Sequence, residues 1–149
     1  ARTNLGAIGG STGSTDNRLL RSDGTGTRTL QDSAINVGDN GELDNFRGNV
    51  TSLTNTSYTV TSTDSGKILD CSNAGTITFN LPNNMPVGWC VTVVQSGAGV
   101  INFTALSGAT LRNRQSHTSS AGQWAMTTLY VRANSGGTSA EFVLGGDTA

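Results

Sequence analysis

The stretch from Thr76 to Phe103, TITFNLPNNMPVGWCVTVVQSGAGVINF, alternates apolar and polar residues in three short runs. Alternation with a period of two places every second side chain on the same face of a β-strand. Turn-forming residues separate the runs, with Pro82-Asn83-Asn84 after the first and Gly97-Ala98-Gly99 after the second. The stretch therefore predicts three strands, each with one buried face.

The same pattern continues on both sides of this stretch. Eight short strands are predicted after residue 57, in the segments YTVTS, KILDC, GTITFNLP, WCVTVVQ, VINFTAL, GATLR, QWAMTTLYVRA and EFVLGG. Short strands at fairly even spacing, with turn residues between them, are typical of β-sandwiches and jelly rolls. We therefore predict an antiparallel, jelly-roll-like β-sandwich domain over residues 57–149.

The composition predicts an all-β protein. Gly, Ser, Thr and Asn account for 72 of the 149 residues, whereas Lys67 is the only lysine and Glu42 and Glu141 are the only glutamates. Surface helices are usually built from Lys and Glu, and Thr, Gly and Asn suit strands and turns instead. We expect little or no helix.

The first part of the chain, residues 1–56, has few apolar residues but specific turn signals. The segment NRLLRSDGTGTRTLQDSAI, from Asn17 to Ile35, predicts a β-hairpin around Asp23-Gly24. A second strand–turn–strand unit is predicted in SAINVGDNGELDNF, with Ile35 and Val37 facing Leu43 across the turn. We interpret residues 1–56 as a separate segment of short hairpins that trimerises the chain.

A hairpin this poor in apolar residues has little to bury within one chain, and a lone hairpin is marginally stable in water. Burying one leucine is worth about 1.5–3 kcal/mol, so three copies around an axis could share a thin core. The residues predicted to form this homotrimer interface are Leu19, Leu20, Leu30 and Ile35.

Charge and hydropathy argue against two classes of partner. The net charge is −1 and no basic block is present, so nucleic-acid binding is not expected. No apolar run approaches the roughly 18 residues that a membrane span requires, so we expect no membrane insertion. The chain opens at Ala1 without Met, which we interpret as a fragment or a processed product.

Neither a metal site nor a cofactor site is predicted. Cys71 and Cys90 could form a disulfide, but two reduced thiols used as small apolar residues is the favoured interpretation. His117 is the only histidine, and no spacing supports a zinc site. The glycine-rich segments GAIGGSTG and GTGT lack the Gly-Lys-Thr/Ser ending of a phosphate loop.

No catalytic constellation is recognisable, and we predict that the protein is not an enzyme. Most acidic residues lie in turns, where a carboxylate accepts backbone hydrogen bonds. A Ser-His-Asp triad could use only His117, which lies in a polar loop without a nucleophile elbow.

That polar loop, RNRQSHTSSAG, is the candidate binding site. It lies between two predicted strands, and loops on a rigid scaffold are where binding residues are usually found. Arginine pairs with carboxylates and sulfates, and Asn, Gln and His suit sugar hydroxyls. An ordinary solvated loop is the favoured interpretation, and contact with an acidic glycan or a protein receptor is the alternative. The candidate receptor-binding residues are Arg112, Asn113, Arg114, Gln115 and His117.

Two tryptophans, Trp89 and Trp124, could each stack on a sugar or pack in the core. Both stand in predicted strands in step with other apolar residues, so core packing is the favoured interpretation.

Taken in order, several motifs resemble the small β-domain that ends many tail-fibre, tail-spike and head-fibre proteins of tailed bacteriophages. They are YTVTSTDSGKILDCS, TITFNLP, PVGWCVTVVQSGAGVINF, GATLRNR, AGQWAMTTLYVRA and EFVLGGDTA. The earlier segment NRLLRSDGTGTRTLQDSAINVGDNGELDN resembles a linker module that recurs in phage fibres and spikes. The resemblance extends from Asp16 to Asp147, and Trp89 departs from it because a smaller aromatic is usual there.

The resemblance implies a homotrimeric, non-enzymatic virion-surface protein, made in the host cytoplasm and carried on the extracellular particle. Its partners would be other virion proteins on the N-terminal side and a host-surface glycan or protein. Two alternatives stay open: a capsid-decoration or head-fibre protein with an assembly role, and a polysaccharide-cleaving spike domain.

Overall fold

The computed structural model describes residues 18–22, 30–37, 43–44 and 47–149, and within them it is mostly β. Twelve strands are joined by turns, and the only helical elements in these ranges are two single-turn 3-10 helices, Ser62–Asp64 and Ser135–Gly137. The all-β prediction is confirmed. The chain divides into two compact units, residues 1–47 and 48–149.

The first unit contains a three-stranded antiparallel sheet of β1 (Arg18–Ser22), β2 (Leu30–Val37) and β3 (Leu43–Asp44). β1 pairs with β2 in the register Ser22↔Leu30, which confirms the predicted hairpin at the level of the backbone. β2 pairs with β3, and Val37 stands opposite Leu43 as predicted.

The predicted trimer contacts cannot be placed from these strands. The side chains of Leu19, Leu20, Leu30 and Ile35 lie outside the described part of the chain. Their role at an interface between copies stays a prediction.

The second unit contains the remaining nine strands. They are β4 (Val50–Leu53), β5 (Ser57–Thr59), β6 (Ile68–Cys71), β7 (Ile77–Leu81), β8 (Cys90–Gln95), β9 (Ile101–Ala105), β10 (Thr110–Arg112), β11 (Met126–Asn134) and β12 (Ala140–Gly146). Each of the eight strands predicted after residue 57 is present. The unit begins at Gly48 rather than at residue 57, because β4 pairs with β6 and so belongs to its sheet.

From β4 to β9, successive strands alternate between two sheets. β4, β6 and β8 pair in parallel in a six-stranded sheet of order β10-β12-β11-β8-β6-β4. β5, β7 and β9 pair in parallel in a three-stranded sheet. The chain therefore winds as a coil, and each turn of the coil adds one strand to each sheet.

The prediction of an antiparallel sheet arrangement is wrong for these strands, and antiparallel Greek keys of a jelly roll do not describe them. Each short connection crosses to the other sheet instead of folding back within the same one. A strand consequently meets the strand one coil earlier, running in the same direction. Alternation of apolar residues reports only which face is buried, and the parallel strands β6, β7 and β8 alternate because each buries one face.

The two sheets share one core, and aromatic residues stack through it along the coil. Tyr58, Phe79 and Phe103 occupy the same register on β5, β7 and β9. The ring centroids of Phe79 lie 5.5 Å from Tyr58 and 5.7 Å from Phe103. Tilted and edge-on aromatic contacts at such distances add to the stability gained from burial.

The turn between β6 and β7 packs against the turn between β8 and β9, and glycine is required there. A Cβ atom on Gly97 would collide with the backbone of Ser72 and Asn73, and one on Gly99 with the backbone of Gly75. The amide of Gly99 donates to the Asn73 carbonyl at 3.0 Å. The Gly97-Ala98-Gly99 turn is therefore needed for close approach of two chain segments.

An antiparallel hairpin of β11 and β12 extends the large sheet next to β8. β11 pairs with β8 on one side and with β12 on the other, both antiparallel. β10 then adds to the far edge of β12 in parallel. The antiparallel part of the prediction is thus confirmed for these two pairings.

The two cysteines lie on opposite faces of the large sheet and are free thiols. Cys71 is fully buried in the core, and burial, followed by the charge of Asp70, raises the pKa of its thiol to about 12. Cys71 therefore serves as a small apolar residue, as the favoured interpretation had it.

Candidate functional site

The predicted binding loop follows β10 and is anchored by Asn113. The Asn113 side-chain amide donates to the Leu144 carbonyl at 3.1 Å and to Thr148 Oγ1 at 3.2 Å. Its oxygen accepts from the amides of Gln115 at 2.8 Å and His117 at 3.1 Å. Asn113 thus holds the loop in shape and ties it to the end of the chain.

The end of the loop is paired with the C-terminal residues. The amides of Thr118 and Ser119 both donate to the Ala149 carbonyl, and the Ala149 amide donates to the Ser119 carbonyl at 2.9 Å. His117 Nδ1 lies 3.1 Å from Thr148 Oγ1. Half-buried His117 is therefore part of the same clamp, which gives Asn113 and His117 a structural explanation.

Arg112 takes part in an ion-pair cluster on the outer face of the large sheet. Glu141 accepts from Arg112 Nε at 2.8 Å and from Arg132 Nη2 at 2.6 Å. These two hydrogen bonds, Arg112's first, hold the pKa of Glu141 below its usual value. The cluster links β10, β12 and β11, but exposed ion pairs contribute little to stability.

Two of the predicted residues remain open to a partner, because the side chains of Arg114 and Gln115 are exposed at the tip of the loop. The next residue, Ser116, has a φ of 64°, in the left-handed region that few side chains adopt. Its amide donates to the Asn113 carbonyl at 3.1 Å, which closes the turn.

Trp124 does not lie in the core, and the favoured interpretation of this residue is wrong. Its side chain is 69% exposed, and its φ is 71°. A bulky residue in the left-handed region is a genuine outlier, and such strain persists only where the surrounding structure imposes it.

Hydrogen bonds on both sides hold Trp124 in that conformation. Its amide donates to the Gln95 carbonyl at 2.6 Å, and the Ala125 amide donates to the Gly122 carbonyl at 3.0 Å. The Gln123 side chain donates to the Ser96 carbonyl at 2.9 Å. The turn before β11 is therefore fixed to the end of β8.

A buried polar contact supports this turn from below. Gln95 is almost fully buried, and its side-chain oxygen accepts from Ser120 Oγ at 2.6 Å. Ser120 Oγ also accepts from the Ile101 amide at 2.9 Å. Satisfied buried polar groups of this kind rigidify the segment that they join.

Beside Trp124 lies a surface depression of about 220 Å³. It is lined by Ala121, Gly122, Gln123, Trp124, Ala125 and Asp147. Three of these residues are alanine or glycine, and the others supply one indole, one amide and one exposed carboxylate. Such a surface can stack a flat apolar group and accept hydrogen bonds from its rim.

Asp147 carried no sequence signal for a site, whereas the alternation along β11 contains a signal that Trp124 faces outward. Leu129 and Val131 on β11 point inward and are fully buried, whereas Met126 and Tyr130 are exposed. Counting by twos from the inward residues places Trp124 on the outward face with Met126.

Trp89 is buried, as predicted. Its indole Nε1 donates to the Thr61 carbonyl at 2.9 Å, and its ring meets that of Phe142 edge-on at a centroid distance of 6.0 Å. The large aromatic that departs from the resemblance is therefore accommodated in the core.

Within residues 47–149, the carboxylate with the most contacts, Asp64, is structural. It is buried and accepts from the Tyr58 hydroxyl at 2.9 Å, the Thr61 amide at 2.8 Å and Lys67 Nζ at 3.1 Å. Burial by itself would raise the pKa of Asp64, but these hydrogen bonds outweigh it and lower the pKa. Burial, followed by the hydrogen bond to Asp64, raises the pKa of Tyr58 to about 12.

Within the described ranges, no three His, Cys, Asp or Glu residues lie close enough together to hold a metal ion. No helix in these ranges is long and apolar enough to cross a membrane. No protein-family model matches the sequence, and no curated protein matches it either.

Proposed function

We propose that this chain is a non-enzymatic surface protein of a bacteriophage particle, the distal part of a trimeric fibre or spike that binds a receptor on the host cell. The observation that carries the proposal is the preorganised surface formed by residues 113–124. Hydrogen bonds to the C-terminal residues and to β8 fix this segment, and Arg114, Gln115 and Trp124 are exposed on it.

Those side chains suit recognition. Tryptophan and arginine are enriched among the residues that contribute most to binding energy, and a loop that is already ordered loses less entropy on binding. Exposed residues on a segment with this many backbone anchors are therefore better explained by a partner than by stability.

The proposal includes a homotrimer assembled through the N-terminal hairpin, with Leu19, Leu20, Leu30 and Ile35 at the shared interface and other virion proteins on the N-terminal side. Light scattering of the purified chain measures the mass. Leu20→Asp and Leu30→Asp should shift the mass toward that of a monomer, whereas Val87→Asp, an exposed position in the second unit, should not. Fully trimeric Leu20→Asp and Leu30→Asp variants would restrict the hairpin to a spacer role.

Electron microscopy of intact virions with an antibody against this chain tests the proposed location. Labelling at fibre or spike tips is expected, and the purified protein should compete with the phage for adsorption to host cells. Labelling over the capsid without competition would favour the decoration alternative. Release of reducing sugar from host polysaccharide by the purified protein would favour the polysaccharide-cleaving one.

A further inference from the structure

We propose that the depression beside Trp124 is a carbohydrate-binding subsite for a neutral or N-acetylated sugar. The apolar face of the sugar ring would stack on the indole, and its hydroxyls would donate to the carboxylate of Asp147. This deepens the proposed function, on which it rests, by naming the chemistry of the receptor.

The conformation of Trp124 is the first support. A tryptophan that is 69% exposed gains little from burial, and its φ of 71° costs free energy that glycine would avoid. The residue therefore weakens the fold slightly at this position. Strain of this kind is concentrated at ligand-binding sites, where the function of the side chain explains it.

The way the indole is held is the second support. The Trp124 amide is bonded to Gln95, and the neighbouring Gln123 side chain is bonded to Ser96. Gln95 is itself fixed by its buried contact with Ser120. The indole is thus carried by an ordered turn, which reduces the entropy lost when a ligand stacks on it.

The chemistry around the indole identifies the ligand class. A sugar ring has an apolar C–H face and hydroxyl groups at its edge, which match a single flat aromatic surface with hydrogen-bonding groups beside it. Asp147 is exposed, and an ionised carboxylate only accepts hydrogen bonds, so it suits vicinal hydroxyls. The same negative charge disfavours acidic sugars. The side-chain oxygen of Gln123 can accept a hydrogen bond from an N-acetyl amide or from a further hydroxyl.

The depression has room for one ring. Its volume of about 220 Å³ is below the range of enclosed drug-sized pockets, and three of its six lining residues are alanine or glycine. A single sugar residue at the end or edge of a glycan therefore fits this surface, and weak binding per site is expected.

The test uses the full chain with chitobiose, lactose and maltose as probes. Saturation-transfer NMR should show transfer to the sugar ring protons of at least one probe, and the probe should protect Trp124 from iodide quenching. Trp89 is buried and Trp124 is the other tryptophan, so the quenchable fluorescence reports on the site.

Trp124→Ala should weaken binding about tenfold, the equivalent of one aromatic contact, and Asp147→Asn should also weaken it. Trp124→Gly keeps the backbone conformation without strain, so loss of binding in that variant cannot be attributed to misfolding. Tyr130→Ala removes another exposed aromatic, outside the depression, and should leave binding unchanged.

Three results would overturn the inference: no transfer to any probe, equal binding by wild type and Trp124→Gly, or binding of tetramethylammonium with no sugar binding, which would indicate a cation site. Adsorption competition separates this inference from the proposed function. If Trp124→Gly competes as well as wild type, the sugar subsite is wrong and the receptor-binding role stands. If sugar binds but no virion is labelled, the subsite stands and the virion location is wrong.

Discussion

The two tryptophans lie at opposite ends of the same strand pair, β8 and β11, and their surroundings differ completely. At one end, the Val131 amide donates to the Trp89 carbonyl, and the Trp89 indole is buried against Phe142. At the other end, the Trp124 amide donates to the Gln95 carbonyl, and its indole is exposed. Both backbones join the same ladder, but only one side chain contributes to the core.

The two tryptophans stand in similar sequence patterns, but their side chains have different surroundings. Trp89 satisfies its indole N–H with the Thr61 carbonyl and fills a space between the two sheets. Trp124 lies in step with the outward-facing residues of β11, and its backbone is in the left-handed region. The fold explains the first tryptophan, and the second is the residue for which we propose a ligand.

The largest predicted effect is at the buried end. Trp89→Ala should lower the free energy of unfolding by about 3–5 kcal/mol, because it leaves a cavity and an unpaired Thr61 carbonyl. Urea unfolding followed by circular dichroism measures this. Trp124→Ala is the matched control and should change stability by less than about 0.5 kcal/mol. Similar losses in both variants would remove the contrast between the two ends.

The next effect concerns the anchor of the loop. Asn113→Ala should cost about 2 kcal/mol, since it leaves the Leu144 carbonyl and two loop amides without their partner. Hydrogen exchange should show faster opening at residues 113–119. Arg114→Ala, one residue further along and exposed, should leave both stability and exchange unchanged. An unperturbed Asn113→Ala variant would mean that the C-terminal pairing alone holds the loop.

A smaller effect has the opposite sign and belongs to the exposed end. Trp124→Gly should be more stable than Trp124→Ala by about 1 kcal/mol, because glycine adopts the left-handed region without strain. Thermal unfolding of the two variants measures the difference. A Trp124→Ala variant as stable as Trp124→Gly would show that the turn relaxes when the indole is removed.

The last prediction concerns the free energy of unfolding at acid pH, where Asp64 becomes protonated. The pKa of Asp64 is lower in the folded state than in the unfolded chain, so its stabilising contribution is present above the unfolded value near 3.8 and is lost as the pH falls through the folded value. The Asp64 carboxylate accepts a hydrogen bond from the Thr61 amide, and the Thr61 carbonyl accepts one from the Trp89 indole. Acid should therefore loosen the Trp89 end first.

Intrinsic fluorescence of Trp124→Phe, in which Trp89 is the remaining tryptophan, follows this acid transition. Asp64→Asn should flatten the acid limb of the stability curve, and Glu141→Gln, which alters an exposed and solvent-screened ion pair, should flatten it much less. An acid limb that survives in Asp64→Asn would assign the effect to other carboxylates.

Much of the second unit was predictable from local sequence. The alternation in segments such as GTITFNLP located the strands and their buried faces, because burial on one face imposes a period of two on any strand. The turn signals located the connections for the same reason of local geometry. Pairing direction was not predictable, since a β-strand looks alike in parallel and antiparallel sheets. The parallel pairing of β6 with β8 depends on residues distant along the chain.

The candidate site was predictable in part. The polar segment from Arg112 to His117 was identified by composition. Composition does not reveal that the Asn113 side-chain amide donates a hydrogen bond to the Leu144 carbonyl. The adjoining depression joins Trp124 to Asp147, residues that are separated by most of a hairpin.

The sequence by itself determined an all-β chain, the positions of eight of the nine strands in the second unit and the burial of Trp89, because these depend on periodicity, turn chemistry and side-chain size. The tertiary structure decided the parallel coil, the clamp between the loop and the C-terminal residues, and the position of Trp124 next to Asp147. Those features arise from hydrogen bonds between distant segments, such as Trp124 to Gln95, which no local pattern encodes.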